Sequence, residues 1–493
     1  MGIVQRQGIL NTIVVYTGIL IGFINLLYVQ PMFLKEEEIG LTRVLYSFSG
    51  ILSVLMPLGA ANILVRYFPQ YKKDEEGHNG FLGFVLLYAL VGFIFFSVIL
   101  YLTRDYITAV YVKQSPLFAK NFWFVFPLGL YLTFIQILNI YCFSLFKSVA
   151  PSIFSEIVVR ALNILIVILY HYNYLTFDQF IQSFTYLYAV NLLLLVIYIY
   201  TISKPKLFFN PVFFGKENRV VMYRYGMVMT IAAIASLGLK SIDSIILAIY
   251  VLLKDVGIYS IALFIGLFIE TPLNSLDRIA SARMAAAISH NNQKEIKDIY
   301  HKSSNNLFLI GGLLFIGVNT CITPLFSFLK ESYRGNELIV LVVSLGALFN
   351  MASGSNTSII FNSDHHKKGI YILGGVFIFL VGLLFLLVPQ YGTLGAAIAV
   401  STGTFAYNFG KFVFIKKHYK MQPFSIASLK LVMLIGGVAA MGIYLPHLEN
   451  AFVDILYRGS IVSIAYLSIA YFWKLIPEEL LKPARKYMPF INW

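Results

Sequence analysis

The chain has 493 residues, of which 59% are hydrophobic and only 12% charged, with a formal net charge of +14. That is too little charge to cover a soluble surface of this size, and the apolar runs recur at the roughly 20 residues that a ~30 Å hydrocarbon core demands. A soluble globular protein is thereby excluded, and the lack of ~10-residue alternating segments excludes a β-barrel. The expected class is an all-α polytopic membrane protein.

In chain order, fourteen candidate spans fall near 8–30, 42–65, 80–103, 121–145, 152–171, 180–203, 222–252, 256–279, 304–328, 337–361, 369–388, 393–415, 425–445 and 452–474. The opening "MGIVQRQGILNTIVVYTGILIGFINLLYVQ" has no small-residue cleavage site after its apolar run, so it reads as an uncleaved first helix. With the N-terminus placed in the cytoplasm, the N-terminus, the even-numbered loops and the tail hold about two thirds of the 37 Lys and Arg residues. Both termini are therefore expected on the cytoplasmic side. The excess positive charge is a topology signal rather than a nucleic-acid footprint. Between the eighth and ninth spans, "SHNNQKEIKDIYHKSS" reads as a short amphipathic helix at the membrane surface. Cys142 and Cys321 lie in apolar runs without metal-ligand or CxxC spacing and read as small core residues; no metal or cofactor is expected. Nothing has the pattern of a nucleotide-binding loop.

A short motif occurs twice. "FLKEEEIGL" (Phe33 to Leu41) precedes the second span and "LLKDVGIY" (Leu252 to Tyr259) precedes the eighth, with Gly40 and Gly257 217 residues apart. Each following span carries a proline, Pro57 and Pro272. The spacing predicts two parallel six-helix bundles: an N-terminal lobe (1–205), a cytoplasmic linker (206–221), a C-terminal lobe (222–415), then two extra helices with a basic tail (416–493). Parallel halves around an axis along the membrane normal are a transporter architecture.

Charges inside spans are the candidate site residues, because each costs roughly 2.5–3.5 kcal/mol at a helix centre and so faces protein or water. Lys240 and Asp243 in the seventh span are three residues apart, on nearly one helix face; a self-neutralising structural pair is the competing reading. In the eighth span Glu270, Asn274 and Asp277 form a stripe beside Pro272, where the helix is expected to bend. Glu270 or Asp243 is a candidate site for Na+ or H+ coupling. In the first half, Glu156 and Arg160 have the order of an intrahelical ion pair. Asn25 lies in the outer part of the first span, Arg43 opens the second and Arg66 ends it. Either arginine can hold a phosphate, though topology and helix capping explain both without one.

With "KSIDSIIL", "DVGIYSIALFIGLFIETPLNSLDRIASARM", "YGTLGAAIA" and "GLTRVLYSFSGILSVLMPLGAANILVRYF", the chain resembles the polysaccharide transporter branch of the multidrug/oligosaccharidyl-lipid/polysaccharide (MOP) exporters, the Wzx-type O-antigen flippases. The resemblance covers essentially the whole chain. It implies a MATE-like fold around a central cavity. It also implies alternating-access transport of an undecaprenyl-diphosphate-linked oligosaccharide to the outer leaflet of a bacterial inner membrane. Asp243 then falls at the family's recurrent acidic position, Lys240 is the cation expected near the diphosphate, and other polysaccharide assembly proteins are the expected partners. A cation-coupled drug or small-molecule antiporter of the same superfamily is the alternative. A membrane polysaccharide polymerase or ligase is disfavoured because the longest outer loop, "RDYITAVYVKQSPLFAKN", is too short to build an active site. A transporter rather than an enzyme is expected.

Overall fold

The computed structural model describes residues 3–72, 78–208 and 216–477, and every regular element among them is helical. The chain divides into two compact units, Met1–Ser260 and Ile261–Trp493.

In the first unit, α1 (Ile3–Ile24) continues through a π-helical turn at Asn25–Val29 into Gln30–Phe33. Helix α2 (Glu36–Leu55) opens on three acidic residues, which complement the positive end of the helix dipole. Glu38 Oε2 accepts the Lys35 backbone N–H at 2.9 Å and closes the first turn. The predicted second span is in fact two helices. Pro57 lacks an N–H, and Leu58 and Gly59 take φ of 48° and 76°, so the ladder stops and restarts as α3 (Ala60–Tyr71). Helices α4 (Phe81–Tyr111), α5 (Pro116–Ser144), α6 (Val149–His171), α7 (Phe177–Ile202) and α8 (Lys216–Tyr250) follow. Helix α6 carries a second π-helical turn, at Ile153–Val158, and packs on α1. The unit's core is built from Phe68, Phe81, Val85, Ile137, Tyr141 and Leu195.

Helix α9 (Leu253–Leu267) begins in this unit, and its start explains the repeated motif. The two motif glycines meet: a Cβ on Gly40 would stand 2.0 Å from the Leu253 carbonyl oxygen, and one on Gly257 1.9 Å from that of Glu36. No side chain fits at either position, so the backbones of α2 and α9 touch directly.

In the second unit a 3-10 turn at Phe268–Glu270 leads into α10 (Thr271–Ser289), with Pro272 in its first turn. The bend expected in the eighth span is thus a change of helix, for the same reason as at Pro57. The amphipathic segment expected as a separate surface helix is instead the first turns of α11 (Gln293–Ser327), after a turn at His290–Asn292. Asn292 caps α11, its Oδ1 accepting the Glu295 N–H at 3.2 Å, so the amphipathic turns propagate straight into the apolar ones. Helices α12 (Glu337–Ala352), α13 (Asn356–Phe361), α14 (His366–Tyr419), α15 (Ile426–Ile443) and α16 (Ala451–Phe472) complete the unit. Tyr466 donates to the Leu309 carbonyl at 2.9 Å inside a core of Phe315, Ile316, Leu434 and Val462.

Among the described residues twelve helices have the length and apolar character to cross a bilayer, against the fourteen expected. The difference lies at two places. Helix α12 has 16 residues, short of a bilayer's thickness. Helix α14 has 54 residues and counts once, yet it turns back at Gly392, whose φ of 55° and ψ of −130° are not helical. Lys368 Nζ lies 3.3 Å from His418 Nε2, 50 residues on, where a straight helix would put them about 75 Å apart. The two predicted spans 369–388 and 393–415 are the arms of this hairpin.

At the start of α16, Arg458 and Asp454 form an ion pair at 2.9 Å with side chains only 3% and 2% exposed. Arg458 also donates to the carbonyls of Gly442 and Leu445, at 3.3 and 2.7 Å, capping the end of α15. Asp454 Oδ1 accepts the Leu448 N–H at 3.3 Å. Cys142 is buried, Cys321 half-buried, and both are free thiols.

Candidate functional site

In the first unit the buried carboxylate is Asp243. Tyr259 Oη donates to its Oδ2 at 2.8 Å and the Ser244 hydroxyl approaches its Oδ1 at 3.5 Å. Arg43 Nε, from α2, donates to Ser244 Oγ at 3.2 Å. The chain Arg43–Ser244–Asp243–Tyr259 therefore links α2, α8 and α9, next to the glycine contact that lets these helices approach. Lys240 does not join it. It is exposed on α8, and no hydrogen bond or ion pair ties it to a described residue. The competing reading, a self-neutralising Lys240–Asp243 pair, does not match this arrangement: three residues turn a helix 300°, which leaves the two side chains about 60° apart. Packing of α8 against α2 buries only the Asp243 side.

The first unit holds further polar groups. Arg160 bonds Glu156 at 2.6 Å and also the Gly18 carbonyl. Tyr46 lies within electrostatic reach of Arg43, Glu156 and Arg160, and its ring centroid is 5.8 Å from that of Tyr188. Asn25, in the π-turn of α1, donates to Asn163 Oδ1 at 2.8 Å, and Gln30 donates to the same oxygen at 3.1 Å. Buried amides at a π-turn fit the frequent use of such turns at functional positions. Among the described residues Arg66 takes part in none of these hydrogen bonds or ion pairs. Helix α3 runs past it to Tyr71, and its guanidinium lies 4.4 Å from the centre of the Tyr225 ring, a cation–π contact.

In the second unit Glu270 is the end of a longer chain. Asn350 Nδ2 donates to Glu270 Oε1 at 2.9 Å, Asn408 Nδ2 to Asn350 Oδ1 at 3.0 Å, and Asn356 Nδ2 to Asn408 Oδ1 at 3.1 Å. Thr357 bonds Asn356 Oδ1 at 3.3 Å, and Lys411 Nζ bonds the Thr357 hydroxyl at 2.9 Å. Lys411 is 2% exposed, and its ammonium sits 3.9 Å over the Tyr407 ring, with Asp277 and Glu270 the carboxylates whose charge reaches it. Asp277 itself accepts from Ser358 at 3.1 Å. Glu270 thus bonds α12 and Asp277 bonds α13; the side chain of Asn274, between them, lies outside the described residues. Lys411 and the asparagines were not singled out from the sequence. The available signal was "YNFGK" inside an apolar run, with a lysine too far from the span's end to be a simple anchor.

Long apolar helices that bury ionisable and amide side chains within each unit define a multi-pass membrane protein. Residues 4–276, more than half of the chain, match the family described as polysaccharide biosynthesis protein, and the chain belongs to that family. Among solved structures it is similar to the lipid II flippase MurJ in an inward closed conformation. That match has a TM-score of 0.73 at 14% identity and covers 95% of this chain and 100% of that one. An inward-facing multidrug resistance MATE transporter of the MOP superfamily matches with a TM-score of 0.65 at 13% identity, over 84% of this chain and 98% of that one. The MATE transporter VcmN of Vibrio cholerae matches with a TM-score of 0.56 at 14% identity, over 85% and 98%. The fold is therefore MOP-like, in agreement with the resemblance read from the sequence. No curated protein matches the chain.

Proposed function

We propose that this chain is a flippase. Its cargo is an undecaprenyl-diphosphate-linked oligosaccharide, a repeat unit of O-antigen, capsule or exopolysaccharide. It moves that cargo across the bacterial inner membrane by alternating access, with both termini in the cytoplasm. The observation that carries the reading is Arg43 held through Ser244 by the buried Asp243. Its Nε is committed to that bond, which leaves the two terminal nitrogens to meet a phosphate in the fork geometry that arginine favours. Asp243 orients the guanidinium, and the exposed Lys240, three residues back on α8, adds positive charge. The family's description and the lipid-linked cargo named for the flippase of like fold support the same class of substrate.

A second reading, a cation-coupled antiporter, is favoured by the chain from Glu270 to Lys411, since buried ionisable groups in membrane helices mark ion or proton paths. In either reading Glu270 or Asp243 is the place for Na+ or H+ to act.

The test is deletion of the gene in its host, with lipid-linked oligosaccharide measured on each face of the inner membrane. Accumulation on the cytoplasmic face, reversed by wild type and not by normally expressed Arg43→Ala, is the expected result. Intact surface polysaccharide without accumulation, together with altered drug sensitivity, would put the antiporter first.

A further inference from the structure

Helix α11 begins beside the end of α14, and between them lies a cavity of about 460 Å³, within the size range of small-ligand sites. Lys297, His301, Lys416 and Lys420 line it, with Met421 and Gln422. Among the described residues no carboxylate does. The nearby acids are engaged elsewhere: Asp298 pairs with Lys302 at 3.1 Å, and Glu295 accepts from Asn292 at 3.0 Å. His301 Nδ1 lies 3.2 Å from the Pro423 carbonyl. A carbonyl only accepts, so Nδ1 carries a proton.

Ordinary causes account for part of this arrangement. Cations at the end of α14 suit the negative end of its dipole, and basic loops follow from membrane topology. Neither cause by itself brings Lys297 and His301, from the second and third turns of another helix, to the same cleft as the lysines at the end of α14. Lys420 takes a left-handed φ of 53° there, and among the described residues no ion pair ties Lys297, Lys416 or Lys420 to a carboxylate. Three lysine ammonium groups facing one hollow without a carboxylate among its described lining make a field that favours an anion there.

We propose that this cleft is a binding site for a phosphate-bearing anion, outside the buried chains described above and independent of the flippase reading. The phosphate belongs either to an anionic lipid headgroup at the membrane surface or to a free diphosphate. Compact ammonium groups act on phosphate as point charges, and three of them around a hollow this size fit a multiply charged group.

The test uses the purified full-length protein. Phosphatidylglycerol binding is followed by native mass spectrometry and inorganic pyrophosphate binding by calorimetry. Lys416→Gln/Lys420→Gln is compared with a charge-matched pair, Lys204→Gln/Lys206→Gln; all four lysines are exposed, so the fold tolerates either pair. The cleft pair is expected to weaken binding about 30-fold from the loss of two lysines near the ligand, and the matched pair to leave it unchanged. Weakening for the lipid alone assigns the site to a headgroup, and weakening for pyrophosphate as well assigns it to free phosphate. No binding of either probe, or equal weakening by both pairs, overturns the proposal.

Discussion

The contact between Gly40 and Gly257 makes a quantitative prediction. A methyl on Gly40 would meet the Leu253 carbonyl at 2.0 Å, and one on Gly257 the Glu36 carbonyl at 1.9 Å, roughly 1.5 Å inside an ordinary contact. Both obstacles are backbone, so α2 and α9 must separate, at the upper end of overpacking costs, about 3 kcal/mol. Alanine returns about 1 kcal/mol of helix propensity. Each single variant, Gly40→Ala or Gly257→Ala, should therefore lose about 2 kcal/mol of stability. The double variant should lose about 1 kcal/mol rather than about 4, because one separation of the helices makes room for both methyls and two alanines return propensity. Reversible unfolding in mixed detergent micelles, run as a double-mutant cycle, measures this. Additivity within about 0.5 kcal/mol would refute the shared-separation argument, and so would single variants as stable as wild type.

Three further outcomes follow from the buried polar chains. Lys411→Met keeps the side-chain volume and removes an ammonium whose desolvation is costly, so stability should change by less than about 2 kcal/mol. On the antiporter reading, cation-driven transport in proteoliposomes should fall to background, and a stable variant with unchanged transport would show the lysine to be structural only. Tyr259→Phe takes one donor from buried Asp243 and should cost about 1–3 kcal/mol in the same unfolding assay. An unchanged midpoint there would remove Tyr259 from the network. Asn163→Leu strands the amide donors of Asn25 and Gln30 and should destabilise by at least about 2 kcal/mol, whereas Asn163→Asp, which keeps the acceptor oxygen, should cost less. Equal losses for the two would argue against that hydrogen bonding.

The sequence made most of the helices legible, because a bilayer fixes their length and apolar character whatever they pack against. Pro272 marked one break for a similar reason, since a missing N–H acts locally, whereas the second span read as continuous through Pro57 and proved to be two helices. The repeated glycine was legible as a motif, though nothing in it said that its two copies touch. The candidate sites were harder to read. Asp243 and Glu270 stood out as charges in apolar runs, but which neighbour of Asp243 would be buried with it depended on α2 and α9, and the answer was Ser244 rather than Lys240. Lys411 escaped notice because each asparagine joining it to Glu270 comes from a different stretch of chain. Asn350 and Asn408, for instance, are 58 residues apart. Single amides in separate helices carry no spacing for a linear reading to find.

The ion pair at the start of α16 bears on how the chain is made. Asp454 and Arg458 would each cost roughly 2.5–3.5 kcal/mol deep in a bilayer if that helix entered alone. The relief comes from α15, whose terminal carbonyls take up the remaining guanidinium hydrogens, and from the turn between the two helices, whose Leu448 N–H reaches Asp454. The partners are therefore complete only once both helices and their connection are present. The pair should leave the translocon as one hairpin, and a ribosome stalled after α15 should leave that helix with its carbonyls uncapped at the membrane surface.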